Sequence, residues 1–157
     1  LEKYQIWSSY EPEKHGILVA VASIHGNTRA AAEELAQMLR DRGERVEVLD
    51  LARTDVSYAV RKAFAWDRLV LAAATYDAGV FPPMEAFLSH LKSKNYQKRT
   101  VALVENGTWA PGAAKEMRAA VEAMKQMTVL EPVVTIRSAL NEDSRNAMEQ
   151  LAGKLVG

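Results

Sequence analysis

The segment between the first apolar run and the first helical stretch carries the residues best suited to chemistry. It consists of Ser23, Ile24, His25, Gly26, Asn27 and Thr28. Two hydroxyl groups flank a glycine-containing turn, and the turn leads into the first amides of a helix, which form a ready binding site for an anion. Arg29 follows, and no carboxylate occurs before Glu33. We interpret the segment as a phosphate-binding loop; the simpler alternative is a Ser/Thr N-cap beside a surface arginine.

Two further segments carry aromatic residues suited to contact with a planar ligand. The second of the three segments contains Thr75, Tyr76, Asp77, Ala78 and Gly79. The third segment contains Glu105, Asn106, Gly107, Thr108, Trp109 and Gly112. A tryptophan in a loop is costly unless its face is used, which favours stacking of Trp109 on a flat aromatic ligand over packing within the protein. Taken alone, the second segment is more simply a turn before a helix that begins at Pro82.

Elements of an α/β fold position these segments. Short apolar runs alternate with stretches of helical periodicity, which predicts strands at 17–22, 45–49, 68–74, 100–105 and 129–136 and helices at 28–42, 54–64, 82–92, 112–127 and 141–156. Gly43 ends the first helix, and Pro132 places the last strand at a sheet edge. Strict alternation indicates a doubly wound parallel sheet of Rossmann or flavodoxin type. Ligands bind beyond the carboxyl ends of such strands, where all three segments lie.

Composition narrows the class of protein. The chain has 157 residues, with 20 Lys and Arg against 20 Asp and Glu, and no Cys. This length indicates one domain. The lack of cysteine excludes disulfides, Fe–S clusters and thiol nucleophiles, and the balanced charge argues against nucleic acid or an anionic membrane as a partner. No apolar run approaches the ~18 residues that cross a bilayer. Because the lack of cysteine fits a reducing compartment, we expect a cytoplasmic protein.

The three segments together resemble the flavodoxin-like FMN domain, most closely the C-terminal domain of the A-type flavoproteins, or flavodiiron proteins. They match, in order, that family's phosphate loop, its second loop with the following Phe-Pro-Pro, and its third loop around Trp109. The resemblance implies a three-layer sandwich, with helices on both faces of a five-stranded parallel sheet of order 2-1-3-4-5. It implies FMN as the cofactor, with the phosphate held by Ser23 and Thr28 and the isoalloxazine between Trp109 and the Tyr76 segment. All residues of the three segments are therefore candidate cofactor-binding residues.

The second segment departs from the family pattern Pro-Thr-Tyr-Asn-Gly-Gly. It reads Ala74, Thr75, Tyr76, Asp77, Ala78 and Gly79. Ala78 restricts a backbone position that glycine leaves free, and Asp77 brings a carboxylate to the segment that borders the flavin. Both changes bear on the reduction potentials and on the affinity for FMN. His25 either contacts the flavin or is solvated.

The resemblance also implies a larger parent protein. The family's O₂- or NO-reducing diiron site lies in an upstream β-lactamase-like domain, and the histidines here, His15, His25 and His90, form no cluster for it. We therefore predict no catalytic and no metal-binding residues in this chain. Residues 1–14, which start at Leu1, are interpreted as an N-terminal arm or interdomain linker remnant, and 15–157 as the FMN-binding domain. Expected partners are a redox protein (rubredoxin-like or an NADH-dependent reductase), the diiron domain, and a second copy in a homodimer.

Several functions are compatible with this fold. An FMN electron-transfer domain needs the flavin and no catalytic side chain. A stand-alone FMN-dependent NAD(P)H:quinone-type reductase needs an open pocket beside the flavin, and the chain lacks a long insertion to build one. A response-regulator receiver needs adjacent acids after the first strand and a lysine after the fifth, where this sequence has Ser23 and Arg137. A flavodoxin-fold domain that no longer binds flavin is suggested by Ala78 alone.

Overall fold

Strands and helices alternate along the chain as the periodicity predicts. The structure, a computed structural model, describes residues 14–22, 26–76, 79–80, 82–94, 96, 99–106, 113–124, 127–130, 134–136 and 142–156. Its strands are β1 (Lys14–Ala22), β2 (Val46–Asp50), β3 (Trp66–Tyr76), β4 (Gly79–Val80), β5 (Thr100–Asn106), β6 (Thr128–Val129) and β7 (Val134–Ile136). Its helices are α1 (Gly26–Asp41), α2 (Val56–Ala65), α3 (Pro82–Ser93), α4 (Ala113–Glu122) and α5 (Glu142–Leu155).

The main sheet is parallel, with the order β2-β1-β3-β5 followed by β6 and β7. The last two strands pair with successive parts of β5, so they are two halves of the predicted fifth strand. The predicted order 2-1-3-4-5 and the edge position of that strand are confirmed. Pro132 falls between the two halves and lies outside the described residues.

Hydrophobic cores lie on both faces of the sheet, because successive side chains of a strand point to opposite sides. Leu69 and Leu71 of β3 pack in the core that α2, α3 and α4 cover. Val70 packs in the core that α1 and α5 cover. β3 is therefore buried on both faces. The helices reach the cores with apolar residues at helical spacing, such as Leu35 and Leu39 on α1.

Local sequence signals account for most helix ends. Gly43 has a φ of 88°, the left-handed conformation that favours glycine after a helix. Asp55 is the N-cap of α2, where its side chain accepts a hydrogen bond from the Tyr58 amide. The predicted extension of α4 to residue 127 is wrong. The helix ends at Glu122 because the next turn tightens, with the Met124 amide donating to the carbonyl oxygen three residues earlier.

A network of buried charges, which the sequence analysis did not predict, joins the elements at the amino end of the sheet. Arg68 of β3 donates to Glu44 at 2.7 Å and to Asp67 at 3.3 Å. It also donates to the carbonyl oxygen of Leu155 at the end of α5. Burial lowers the pKa of Arg68, but the two carboxylates outweigh burial and raise it, so the guanidinium stays charged. The network ties α5 and the turn after α1 to the end of the sheet that lies opposite the three segments.

Candidate functional site

The three segments singled out in the sequence begin at the carboxyl ends of adjacent strands. β1 ends at Ala22, β3 at Tyr76 and β5 at Asn106, and β3 lies between the other two. The register places Ala22 opposite Ala73, and Ala73 opposite Glu105. Because neighbouring strands lie about 4.8 Å apart, the segments start within two strand spacings of one another. The sheet therefore brings them to one edge.

The structure describes part of the candidate cofactor-binding set. Gly26, Asn27 and Thr28 form the first turn of α1, Thr75 and Tyr76 end β3, Gly79 lies in β4, and Glu105 and Asn106 end β5. The other candidates, Ser23, Ile24, His25, Asp77, Ala78, Gly107, Thr108, Trp109 and Gly112, lie outside the described residues. The described members lie at or just beyond the carboxyl ends of β1, β3 and β5.

Thr28 has a completely buried side chain in the first turn of α1. Within the described part of the chain, its Oγ1 atom has no hydrogen-bond partner. A buried hydroxyl that makes no hydrogen bond costs about 1–3 kcal/mol, so such groups normally serve a ligand or a buried water. The first turn of α1 contains no acidic residue. This hydroxyl and the unpaired amides of the first helical turn fit an anionic group such as phosphate.

Arg29 does not act as a free counter-charge for that anion site. Its guanidinium donates to Asp50 Oδ2 at 3.4 Å and lies 3.6 Å from a carboxylate oxygen of Glu33. In the sequence, a cation in the first helical turn without a nearby carboxylate favours a bound anion, whereas the structure gives Arg29 carboxylate partners within the protein. Asp50 also accepts a hydrogen bond from the Ala52 amide at 3.0 Å, which is an ordinary turn contact. Support for the anion site therefore comes from Thr28 and the helix amides.

The second segment is part of a β-hairpin, which the sequence analysis described as a turn before a helix. β4 pairs antiparallel with the end of β3, with Thr75 opposite Val80 and Tyr76 opposite Gly79. Two residues, Asp77 and Ala78, separate the paired strands and lie outside the described residues. The sequence signal for the hairpin is that only two residues connect Tyr76 and Gly79, a loop length typical of tight hairpins. The hairpin extends β3 beyond its neighbours at the candidate site.

Glu105 is a buried carboxylate at the same edge, with 8% of its surface exposed. Alternation along β5 places it on the face of Val101 and Leu103, in the core that α2, α3 and α4 cover. Its neighbours across the sheet on that face are Ala73 and, one strand further, Ala22. The sequence identified Glu105 only by its place in the third segment and did not predict its burial.

Metal and membrane features are absent from the part of the chain that the structure describes. No three His, Cys, Asp or Glu residues there come close enough to hold a metal ion. Met117 and Met124 are buried in the core, where their flexible side chains fill space. His90 is exposed, and its Nδ1 lies 2.9 Å from the carbonyl oxygen of Ala86. Among the described helices, none has the length and apolar character needed to cross a bilayer.

The sequence profile of the flavodoxin domain family matches residues 18–152. This chain belongs to the flavodoxin domain family. The match runs from β1 to α5 and so includes all three segments of the candidate site. Comparison of the sequence with curated proteins gives no match. Membership in the flavodoxin family confirms the resemblance noted from the loop residues.

Solved structures place this flavodoxin domain beside two kinds of protein. The rubredoxin oxygen:oxidoreductase from Desulfovibrio gigas superposes with a TM-score of 0.87 at 16% identity, over 98% of this chain and 38% of that one. The flavodiiron protein from Giardia intestinalis gives 0.81 at 16% identity, over 98% and 39%. Oxidised flavodoxin 1 from Bacillus cereus gives 0.76 at 18% identity, over 90% and 97%. The chain thus spans less than half of the flavodiiron-type chains and nearly the whole of a flavodoxin.

Proposed function

We propose that this chain is an FMN-binding electron-transfer domain. The observation that carries the proposal is the buried Thr28 hydroxyl at the N-terminus of α1, which has no hydrogen-bond partner among the described residues. A phosphate oxygen accepts the hydrogen bond that this hydroxyl is able to donate, and the first amides of the helix add further donors. The anionic end of a flavin nucleotide supplies such a phosphate.

The proposed role of each segment follows from the family's loops. Ser23, Thr28 and the amides between them hold the phosphate, and Trp109 and the Tyr76 segment flank the isoalloxazine. Bound FMN supplies the electron-transfer chemistry, while the protein binds the flavin, excludes water and sets the charge around it. No side chain of the chain acts as an acid, a base or a nucleophile in this proposal.

We further propose that the domain, residues 15–157, belongs to a flavodiiron-type protein that reduces O₂ or NO, with residues 1–14 as the linker. The likeness to the Desulfovibrio gigas and Giardia chains supports this, since it covers nearly all of this chain but less than half of theirs. The proposed electron acceptor is a diiron β-lactamase-like domain, and the proposed donor is a rubredoxin-like protein or an NADH-dependent reductase. A homodimer in the cytoplasm completes the proposal.

Replacing Thr28 by valine tests the phosphate site directly. We expect Thr28→Val to weaken FMN binding by about 10- to 100-fold, because one hydrogen bond to a charged group is lost. Riboflavin, which lacks the phosphate, should bind the variant and the wild type equally. Trp109→Ala should instead weaken both ligands, because stacking on the ring does not depend on the phosphate. Quenching of flavin fluorescence on titration of each apo-protein measures all six affinities, those of the three proteins for FMN and for riboflavin.

The controls separate a ligand contact from a structural one. Thr100→Val makes the same change at the opposite end of the sheet, where β5 begins, and should leave both affinities unchanged. The Thr28→Val apo-protein should be at least as stable as wild type, because valine removes a buried hydroxyl that has no partner among the described residues, whereas loss of a helix cap costs about 1 kcal/mol. A wild-type protein without saturable FMN binding would contradict the proposal and leave a flavodoxin fold that has lost its cofactor.

A further inference from the structure

Glu105 is a buried acid at the carboxyl end of the central strand β5, at a position where core packing alone would call for an apolar side chain. Val101 and Leu103, the preceding residues on the same face of β5, are completely buried and apolar. At the position of Glu105 the strand changes from apolar to acidic while the side chain stays 8% exposed. Burying a carboxylate costs free energy even where it has partners, as Glu105 does. A buried charge at a ligand edge is therefore a candidate for a functional role.

The position of Glu105 relates it to the ring end of the site. Thr28 lies on α1, over one face of the sheet, whereas Glu105 lies on the face that α2, α3 and α4 cover. The neighbouring residues on this face, Ala73 and Ala22, have small side chains. Glu105 also precedes the segment of Trp109 and sits beside the strand that carries Tyr76. These are the two segments assigned to the isoalloxazine.

We propose that Glu105 sets the reduction potential of the bound flavin, an inference that rests on the proposed FMN binding. Two-electron reduction adds two electrons and one proton to FMN, so the bound group gains one negative charge. The electrons come from a reduced donor, which is the redox partner in the cell and dithionite in a titration, and the proton comes from solvent. The Glu105 carboxylate repels the added charge and thereby weakens binding of the reduced form relative to the oxidised form. It lowers the potential without contacting a reacting atom.

The test compares variants that change charge with variants that change shape. Glu105→Gln keeps the size of the side chain and removes its charge, and Glu105→Asp keeps the charge. Glu122→Gln, at the far end of α4, removes an exposed charge whose side chain is 57% accessible and is paired with Arg118. The midpoint potential of bound FMN is measured against a reference dye during reductive titration, and the affinity for oxidised FMN is measured by fluorescence. The potential reports charge near the ring, which a purely structural carboxylate would not alter.

We expect Glu105→Gln to tighten reduced FMN relative to oxidised FMN by about tenfold, as one charge at moderate distance does in a protein of effective dielectric constant near 20. For a two-electron couple, tenfold corresponds to a rise in potential of about 30 mV. Glu105→Asp and Glu122→Gln should keep the wild-type potential. Equal potentials in all four proteins, each with FMN bound, would overturn the role of Glu105 and leave the proposed function intact. Failure of the wild type to bind FMN would overturn both.

Discussion

Arg99→Met should lower the free energy of unfolding by about 3 kcal/mol, because two buried carbonyl oxygens lose a charged donor. Arg99 is 2% exposed, and its Nε donates to the carbonyl oxygen of Trp66 at 3.0 Å. Its Nη2 donates to the carbonyl oxygen of Phe64 at 2.9 Å. These bonds join the end of α2 and the start of β3 to the residue that precedes β5. Urea unfolding followed by circular dichroism measures the loss.

Stacking on an aromatic ring adds to this effect. The Arg99 guanidinium lies 5.1 Å from the centre of the Tyr96 ring. Burial raises the pKa of Tyr96, and the opposing effect of Arg99 is smaller, so the phenol stays neutral and attracts the cation through its ring face. Methionine fills the space but supplies neither the donors nor the charge. Lysine keeps the charge but lacks the planar fork, so Arg99→Lys should fall between wild type and Arg99→Met.

Arg118→Met provides the matched control for that comparison. The Arg118 side chain is 39% exposed and pairs with Glu122 one helical turn away, at 3.2 Å. A surface pair of this kind contributes about 0.3–0.5 kcal/mol, so the control should stay close to wild type. Equal losses in the free energy of unfolding for Arg99→Met and Arg118→Met would show that the buried contacts of Arg99 do not stabilise the fold.

Gly16→Ala should lower the free energy of unfolding by about 2 kcal/mol, because a Cβ at this position has no room. It would lie 2.3 Å from the Trp66 ring and 2.9 Å from the carbonyl oxygen of Arg45. The ring belongs to the first residue of β3, and its movement would disturb the bulged pairing of β1 with β3. The Gly16 amide also donates to Asp67 at 2.8 Å, so the glycine cannot move away freely. Thermal unfolding should show a fall in Tm of about 4–8 °C.

Gly153→Ala makes the same chemical change where space is open. A Cβ on this α5 glycine would meet nothing within 4 Å. Alanine in a helix is more stable than glycine by about 0.5–1 kcal/mol, so this variant should be more stable than wild type. The two substitutions should therefore move Tm in opposite directions. A Gly16→Ala protein that unfolds at the wild-type temperature would show that the Trp66 ring yields without cost.

Local pattern predicted most of the fold. Strand-length apolar runs and helical spacing depend on residues close in sequence, so they placed the five parallel strands and five helices without knowledge of tertiary contacts. The errors occur where geometry beyond the pattern matters. The hairpin of β3 and β4 depends on pairing of Thr75 with Val80, and the early end of α4 depends on a tightened turn at Met124.

The candidate site was predictable in its location more than in its chemistry. Turn residues such as Ser23, Gly79 and Gly107 identify loops, and the rule for parallel sheets assigns those loops to one edge. The role of Arg29 was misjudged because its partner Asp50 lies at the end of β2, 21 positions further along the chain. A charged residue has no assigned partner in a sequence, so its availability for a ligand is decided by the fold.

The sequence by itself determined the order of elements, the parallel sheet and the three segments at its carboxyl edge, because periodicity and turn chemistry are local. Only the tertiary structure decided which polar groups are buried. No sequence pattern predicts that Thr28, Glu105 and Arg99 are buried, yet all three are buried in the fold. Their environment is formed by partners distant in the sequence. Arg99 and its partner Phe64, for example, are 35 positions apart. Burial and hydrogen bonding are properties of that packed environment, and they are what point to a phosphate at Thr28 and to a charge effect at Glu105.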